Sequence, residues 1–321
     1  MEHLNGYLLM MERYNAYGRY LQERYGHPVY RIGVDAHFTC PNRIGGLGGC
    51  VFCDEAASKA VYQEGVGEAA RDLEGRIRSV SKQIARGKEF IERRYGSEHF
   101  SLYYQSHTNT YDSIENLKKI YQSGLDEGPF VELIVSTRPD CITEEIVELL
   151  ASFKDRVEAV VVELGLESSD EGSLVRLGRN HDVASYRRSV GLLRSAGIGV
   201  YTHIMLGLPK EDSSTVVKTA HLLNEMGTDG VKIHDLHVLR STVLEDWHES
   251  GEVTVASSDR HLASLVTFLR HLEPRIVVAR LICETPRSRR IAPRFPTPKQ
   301  QIITRLSALL EEGGYRQGDL L

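Results

Sequence analysis

Three of the chain's five cysteines fall within fourteen residues, in the segment His37-Phe-Thr-Cys40-Pro-Asn-Arg-Ile-Gly-Gly-Leu-Gly-Gly-Cys50-Val-Phe-Cys53-Asp54. Cys50 and Cys53 have two residues between them, a spacing that lets successive thiolates reach one metal centre, while Cys40 approaches across a glycine-rich loop. Gly45, Gly46, Gly48 and Gly49 let that backbone wrap tightly and offer N–H groups to sulfur. Three thiolates leave one iron of a four-iron cluster open to the amino and carboxylate groups of a bound cofactor. The same residues suit a second chemistry, a closed Cys3His zinc site with His37 as fourth ligand. Three buried, unreactive cysteines are the third reading. Cys141 and Cys283 stand apart and read as small core residues.

Composition sets the setting for this cluster. At 321 residues with 41% hydrophobic and 26% charged side chains, the chain is ordinary for a globular protein and can bury a large core. No apolar run approaches the ~20 residues a bilayer span requires, so no membrane association is expected. The segment Met1 to Arg13 is too polar for a secretory signal, which points to the cytoplasm and to reduced cysteines. The net charge is −5, but Arg275 to Arg305 carries eight arginines or lysines against one acid, Glu284. Such a cluster suits phosphate groups, and equally a solvated face paired to acids elsewhere.

The elements that must position the cysteines come from periodicity. Strands are expected at 29–35, 100–106, 131–137, 159–165, 199–206 and 231–238, with helices near 67–95, 113–124, 143–153, 183–196 and 212–226. Ser113 and Thr143 suit N-caps, and Gly124, Gly197 and Gly227 suit helix stops. Six alternating units predict an α/β fold, a partial (β/α)6 TIM-like barrel with N-terminal and C-terminal extensions. The expected divisions are an N-terminal extension 1–28, a barrel 29–245 and a basic C-terminal extension 246–321. The last contains a possible further strand at 277–283, an irregular loop at 286–298 and a final helix at 298–312. In such folds the active site forms where strands end, which selects Ser106 to Thr110, Ser136 to Asp140, Gly165 to Ser168 and Leu206 to Pro209. His234 and His237 are expected on opposite faces of the sixth strand, and Lys232 shares a face with His234.

The cysteine loop after the first strand, with Phe52 just before the last cysteine, resembles the signature of the radical S-adenosylmethionine (SAM) superfamily. The gap of nine residues between Cys40 and Cys50 departs from the usual three and is similar to the YhcC/YtqA-type branch, related to the catalytic subunit of elongator. The resemblance extends to Gln105-Ser-His-Thr-Asn-Thr-Tyr111, Ser136-Thr-Arg-Pro-Asp140, Glu163-Leu-Gly-Leu-Glu-Ser168, Gly178-Arg-Asn-His181, His203-Ile-Met-Leu-Gly-Leu-Pro209 and Lys232-Ile-His-Asp-Leu-His237. It implies that Cys40, Cys50 and Cys53 hold a 4Fe-4S cluster, which reduces S-adenosyl-L-methionine to a 5′-deoxyadenosyl radical. Phe52 would pack on adenine, or simply in the core. Glu167 would accept from ribose hydroxyls, or only favour a helix N-terminus. Arg179 would pair with the cofactor carboxylate, or make a surface ion pair. Ser106 and Thr108 would face the methionine portion, or cap a turn, and Gly207 would allow a close backbone approach.

The resemblance also implies a substrate. It points to the C5 side chain of the tRNA wobble uridine, in this branch to conversion of carboxymethylaminomethyl to aminomethyl. His234, Arg287, Arg289 and Arg290 are candidates for contact with tRNA. No acetyltransferase domain follows in this sequence, so elongator's own reaction is not expected. A low-potential electron donor of flavodoxin or ferredoxin type would be a partner. The alternatives are a radical enzyme acting on a small molecule or a protein side chain, and a zinc-stabilised binding protein.

Overall fold

The computed structural model describes residues 13–46, 48–54, 61–63, 72–294 and 296–321. Its strands are β1 (Tyr30–Val34), β2 (Phe100–Tyr104), β3 (Glu132–Thr137), β4 (Ala159–Glu167), β5 (Gly199–Leu206), β6 (Gly230–Asp235), β7 (Val238–Leu239), β8 (Val277–Arg280) and β9 (Arg290–Ala292). The first six follow the expected runs with displaced ends. Together with β8 they form one parallel sheet in the order β1-β2-β3-β4-β5-β6-β8, a partial barrel of the six expected strands plus β8, which falls in the run 277–283. β7 and β9 form a separate antiparallel pair.

Alternation along the strands divides the side chains between two faces. Outward residues such as Ile32, Leu102, Leu133, Val162, Val200 and Val231 pack under the helices Leu73–Tyr95, Ile114–Asp126, Glu144–Ala151, Val183–Ser195 and Ser213–Met226 in the main core. Residues 67–71, the expected start of the first of these helices, lie outside the described residues. Ser113 accepts the Asn116 N–H at 3.2 Å and Thr143 accepts the Ile146 N–H at 3.3 Å, so both are the caps their positions suggest. Gly227 ends its helix with φ +66°, a left-handed turn that suits a residue without a side chain.

Gly124 does not stop its helix, which continues to Asp126. A Cβ at that position would lie 2.2 Å from the Tyr104 hydroxyl, which donates to the Ile120 carbonyl at 2.9 Å. The glycine admits a buried tyrosine from β2 into the helix surface, a close approach that local sequence does not announce. Helices Tyr17–Tyr25, Glu171–Arg176, Val243–Glu249 and Ser258–Arg270 were not expected. Among the described residues, no helix is long and apolar enough to cross a membrane.

The inward face of the sheet is layered. Tyr103, Ile134, Val161, Tyr201 and Val277 form a buried cluster, with Tyr17 and Tyr20 of the N-terminal helix packed against it. Val161 precedes Glu163 on β4 and Tyr201 precedes His203 on β5, so this cluster plugs the barrel on the N-terminal side of the charged residues. The segment before that helix also pairs with the last strand of the sheet: the Val278 N–H donates to the Asn15 carbonyl at 2.7 Å, and Ala16 bridges Val278. This contact occupies backbone groups at an edge that would otherwise be open.

Candidate cofactor and substrate site

The cysteine loop is held by backbone contacts to a distant turn. After Cys40 the chain makes a 3-10 turn, Pro41–Gly46, in which the Arg43 N–H donates to the Cys40 carbonyl at 2.9 Å. The Val51 N–H donates to the Leu177 carbonyl at 3.0 Å, and Asn42 Nδ2 donates to the Gly178 carbonyl at 2.6 Å. Gly49 has φ +87°, and its amide closes on the Asn42 carbonyl at 2.9 Å.

Donors converge on the sulfurs. Asn42 Nδ2 and Arg179 Nη1 each donate to Cys50 Sγ at 3.3 Å, and Arg43 Nη1 donates to Cys53 Sγ at 3.2 Å. Burial, together with the neighbouring Cys50 and Cys40 sulfurs, pushes the Cys53 thiol up, against the Arg43 guanidinium. Three sulfurs within electrostatic reach of one another therefore need cationic and N–H support to carry charge, and the loop supplies it. Thr108 sits next to Thr39, its N–H 3.3 Å from that carbonyl, and its buried hydroxyl has no partner. Among the described residues, no three of His, Cys, Asp and Glu converge as ligands of a single ion. A four-iron cluster binds each thiolate on a different iron, so separated sulfurs with amide and guanidinium donors fit it. The zinc reading gains no support from His37, whose Nε2 lies 3.3 Å from Ser79 Oγ.

A cavity of about 640 Å³ opens beside this loop. Phe52, Cys53, Ser106, Glu167 and Arg179 line it on the cysteine side. Phe52 also packs against the apolar group containing Met205, Leu208 and Leu236, so it belongs to a small core while lining the cavity. Glu167 has φ +70° at a bulge of β4 and lies 3.7 Å from Arg179 Nη2. Burial pushes its carboxyl up, against the pull of Arg179. Arg179 is buried, and its Nη2 donates to the Gly165 carbonyl at 2.6 Å. Burial disfavours its charge, but the Cys50 sulfur and Glu167 outweigh that and raise its pKa. Arg179 is thus no surface ion pair; it joins the cysteine loop to the carboxylate at the end of β4. Ser106 and His107 both have positive φ, +75° and +57°, and both line the cavity. Thr108 and Gly207 do not line it, and a Cβ on Gly207 would meet Ala256 at 3.3 Å.

Behind the deep wall of the cavity, formed here by Arg31, Tyr103, His203 and Lys232, lies the carboxylate that opens the Glu163–Ser168 motif. Glu163 is fully buried, and Arg31 Nη1 donates to its Oε1 at 2.6 Å. Its Oε2 accepts from the Tyr103 hydroxyl at 2.7 Å, His203 Nε2 at 2.7 Å and Lys232 Nζ at 2.9 Å. Burial works against ionisation of Glu163, but Lys232, Arg31 and His203 hold its carboxyl well below the usual range. Burial lowers Lys232 to about 8 despite the pull of Glu163. Burial and Lys232 lower His203 to about 4, so it is neutral and donates its Nε2–H to the carboxylate. Burial, with Arg280 next, lowers His234 well below its ordinary value.

Both His234 and His237 line the cavity, contrary to the expectation of opposite faces. β6 ends at Asp235, so strict alternation does not carry to His237, which turns back to Asp235 Oδ2 at 2.9 Å. Cys283 is also a lining residue, not a core one; its N–H donates to Asp235 Oδ1 at 2.7 Å, and burial pushes its thiol up to about 12.

These histidines set an acid limit. A base whose folded pKa lies below its unfolded value gives stability that is complete above the unfolded value and lost as pH falls towards the folded one. For His203 that window runs from 6.5 down to about 4, and His234 acts in the same direction. Unfolding in urea should show stability falling over this range by about 1.4 kcal/mol per unit per group. His203→Asn should flatten the slope.

The basic segment is largely engaged. Arg289 forks onto Asp54, beside Cys53, at 2.7 and 2.8 Å. Arg290 donates to the Pro293 and Thr285 carbonyls, Lys299 pairs with Glu284 at 2.9 Å, and Arg305 pairs with Asp259. Arg287 is exposed, and Arg280 turns into the cavity.

A parallel partial barrel with a three-cysteine loop beside its cavity is the architecture of a radical SAM protein. The chain matches the Radical SAM superfamily over residues 39–223 and the Radical SAM C-terminal domain over residues 228–312, and it belongs to that superfamily. It falls in the YhcC/YtqA-type branch, being 30% identical over 309 residues to protein YhcC of Escherichia coli (strain K12), covering 96% of this chain and 95% of that one. It is 26% identical over 178 residues to the tRNA uridine(34) acetyltransferase of Dehalococcoides mccartyi (strain CBDB1), 54% of this chain and 37% of the other. In structure it is similar to the archaeal Elp3 of Methanocaldococcus infernus, with a TM-score of 0.67 at 18% identity, over 90% of this chain and 64% of that one. The cofactors are a 4Fe-4S cluster and S-adenosyl-L-methionine.

Proposed function

We propose that this protein modifies the C5 side chain of the wobble uridine in tRNA, converting carboxymethylaminomethyl to aminomethyl. When bound, the cluster and S-adenosyl-L-methionine would supply hydrogen abstraction from the carbon between nitrogen and carboxylate; with S-adenosyl-L-methionine as the two-electron oxidant, the C=N bond so formed would be hydrolysed, releasing the amine and glyoxylate. Cys40, Cys50 and Cys53 hold the cluster, Arg179 and Asn42 support Cys50, and Phe52, Ser106 and Glu167 receive the adenosyl and methionine portions. The protein's own groups orient these parts and exclude water. The observation that carries the reading is the sequence likeness to a tRNA uridine(34) acetyltransferase over about half of this chain. The exposed Arg287 would meet phosphates. The electron comes from a flavodoxin or ferredoxin type of donor.

The test is nucleoside mass spectrometry of tRNA from cells with and without the gene. Without it, aminomethyl derivatives should vanish and carboxymethylaminomethyluridine accumulate; identical profiles would remove the proposal. A second reading, a radical enzyme for a small molecule or a protein side chain, is favoured by the pairing of Arg289, Lys299 and Arg305 to the protein's own acids.

A further inference from the structure

We propose that the deep end of the cavity is a carboxylate-binding subsite for substrate, built from Arg280, His234 and Arg31. Glu163, the acid of this region, is already saturated by donors from Arg31, Tyr103, His203 and Lys232. Arg31 and Lys232 both pair with Glu163, which leaves Arg280 as a third cation lining the cavity. The other carboxylates lining the cavity have partners of their own: Glu167 with Arg179, Asp235 with His237, Asp54 with Arg289 and Glu284 with Lys299. Arg280 pairs with no acid among the described residues. Arg31 Nη2 and His234 Nε2 are enclosed without a hydrogen-bond partner. An enclosed N–H left unmatched is costly, and an acceptor-only ligand would satisfy Arg31 Nη2 and would select the His234 tautomer that carries its proton on Nε2.

The scaffold fixes these groups before any ligand arrives. His203, Lys232 and Arg280 are register partners across β5, β6 and β8, and Arg31 is held by Glu163 and by Tyr17, whose hydroxyl accepts its Nε at 3.0 Å. A guanidinium offers a carboxylate two parallel N–H groups. A carboxylate at the tip of an unbranched side chain can reach the end of such a shaft, whereas a phosphodiester, flanked by two riboses, cannot. Resting on the tRNA reading, the carboxylate is that of the carboxymethylaminomethyl group. The subsite would thus separate substrate from aminomethyl product, which lacks the anion.

The test uses anaerobically reconstituted protein with S-adenosyl-L-methionine and no reductant. Its affinity is measured for anticodon stem-loops bearing carboxymethylaminomethyluridine, aminomethyluridine or plain uridine at the wobble position. The carboxylate-bearing RNA should bind about tenfold tighter or better than the other two, as a charged hydrogen-bonded contact allows. Arg280→Met and His234→Ala should remove that preference, so that the carboxylate-bearing RNA binds no tighter than the plain-uridine RNA. Equal binding of all three by the wild type, or a preference surviving in Arg280→Met, would overturn the proposal while the tRNA reading stands. If no stem-loop binds, the tRNA reading falls and small probes decide. N-methylglycine should then raise the wild-type melting temperature where methylamine does not, and Arg280→Met should abolish the shift. No difference between these probes would overturn the subsite as well.

Discussion

Cys50→Ala should yield a protein that folds but is colourless after anaerobic reconstitution and forms no 5′-deoxyadenosine above background. Cys50 is the most enclosed of the three ligands and takes two donors, Asn42 and Arg179, at 3.3 Å each. Its loss removes an iron ligand and leaves Arg179 facing an apolar methyl. The fall in activity should exceed the roughly 10–100-fold that loss of a mere supporting contact costs. Cys283→Ala and Cys141→Ala should retain iron, because neither sulfur belongs to the loop. Iron content, the visible spectrum and chromatography of the nucleoside product are the measurements. Full iron in Cys50→Ala would contradict the ligand assignment.

Glu163→Gln should destabilise the fold by about 3–5 kcal/mol at pH 7, the scale for removing one member of a buried ion pair. The replacement is nearly isosteric, so no cavity complicates it. The amide nitrogen would face donors from Tyr103, His203 and Lys232, and Arg31 would lose its counter-charge. The deficit should narrow as pH rises past about 8, where Lys232 loses its proton even in the wild type. Urea midpoints at pH 7 and pH 10 measure this directly. A variant as stable as wild type would mean that the carboxylate does not organise the cavity.

How much of this was legible in the sequence depends on the distance over which each feature is encoded. The cysteine trio, the strand runs and the caps at Ser113 and Thr143 are local, and the structure places them close to where periodicity does. The ring around Glu163 joins positions 31, 103, 163, 203 and 232, brought together only by sheet order and inward alternation. Glu163, His203 and Lys232 each open one of the superfamily-like motifs, but nothing local says that they meet, or that Arg31 and Tyr103 join them. Asn42 and Arg43 went unnoticed because polar loop residues are common, and only the fold turns them onto sulfur. The helix Ser258–Arg270 was missed although Ser257 caps it and Leu262, Leu265 and Leu269 repeat at helical spacing. The weakening of strand-helix alternation after residue 240 hid it. His237 shows the limit of a period-2 argument, which holds only while the strand continues.

The aromatic plug beneath the charged ring makes the barrel blind at one end. Among the described residues traffic therefore shares the mouth at the strand C-termini: whatever enters first sits deepest and leaves last. A reductant must act from the same side, or through the wall of the cysteine loop. On the tRNA reading, spent nucleoside cannot drain away below an RNA that still stoppers the entrance, so turnover should be paced by departure of the larger partner.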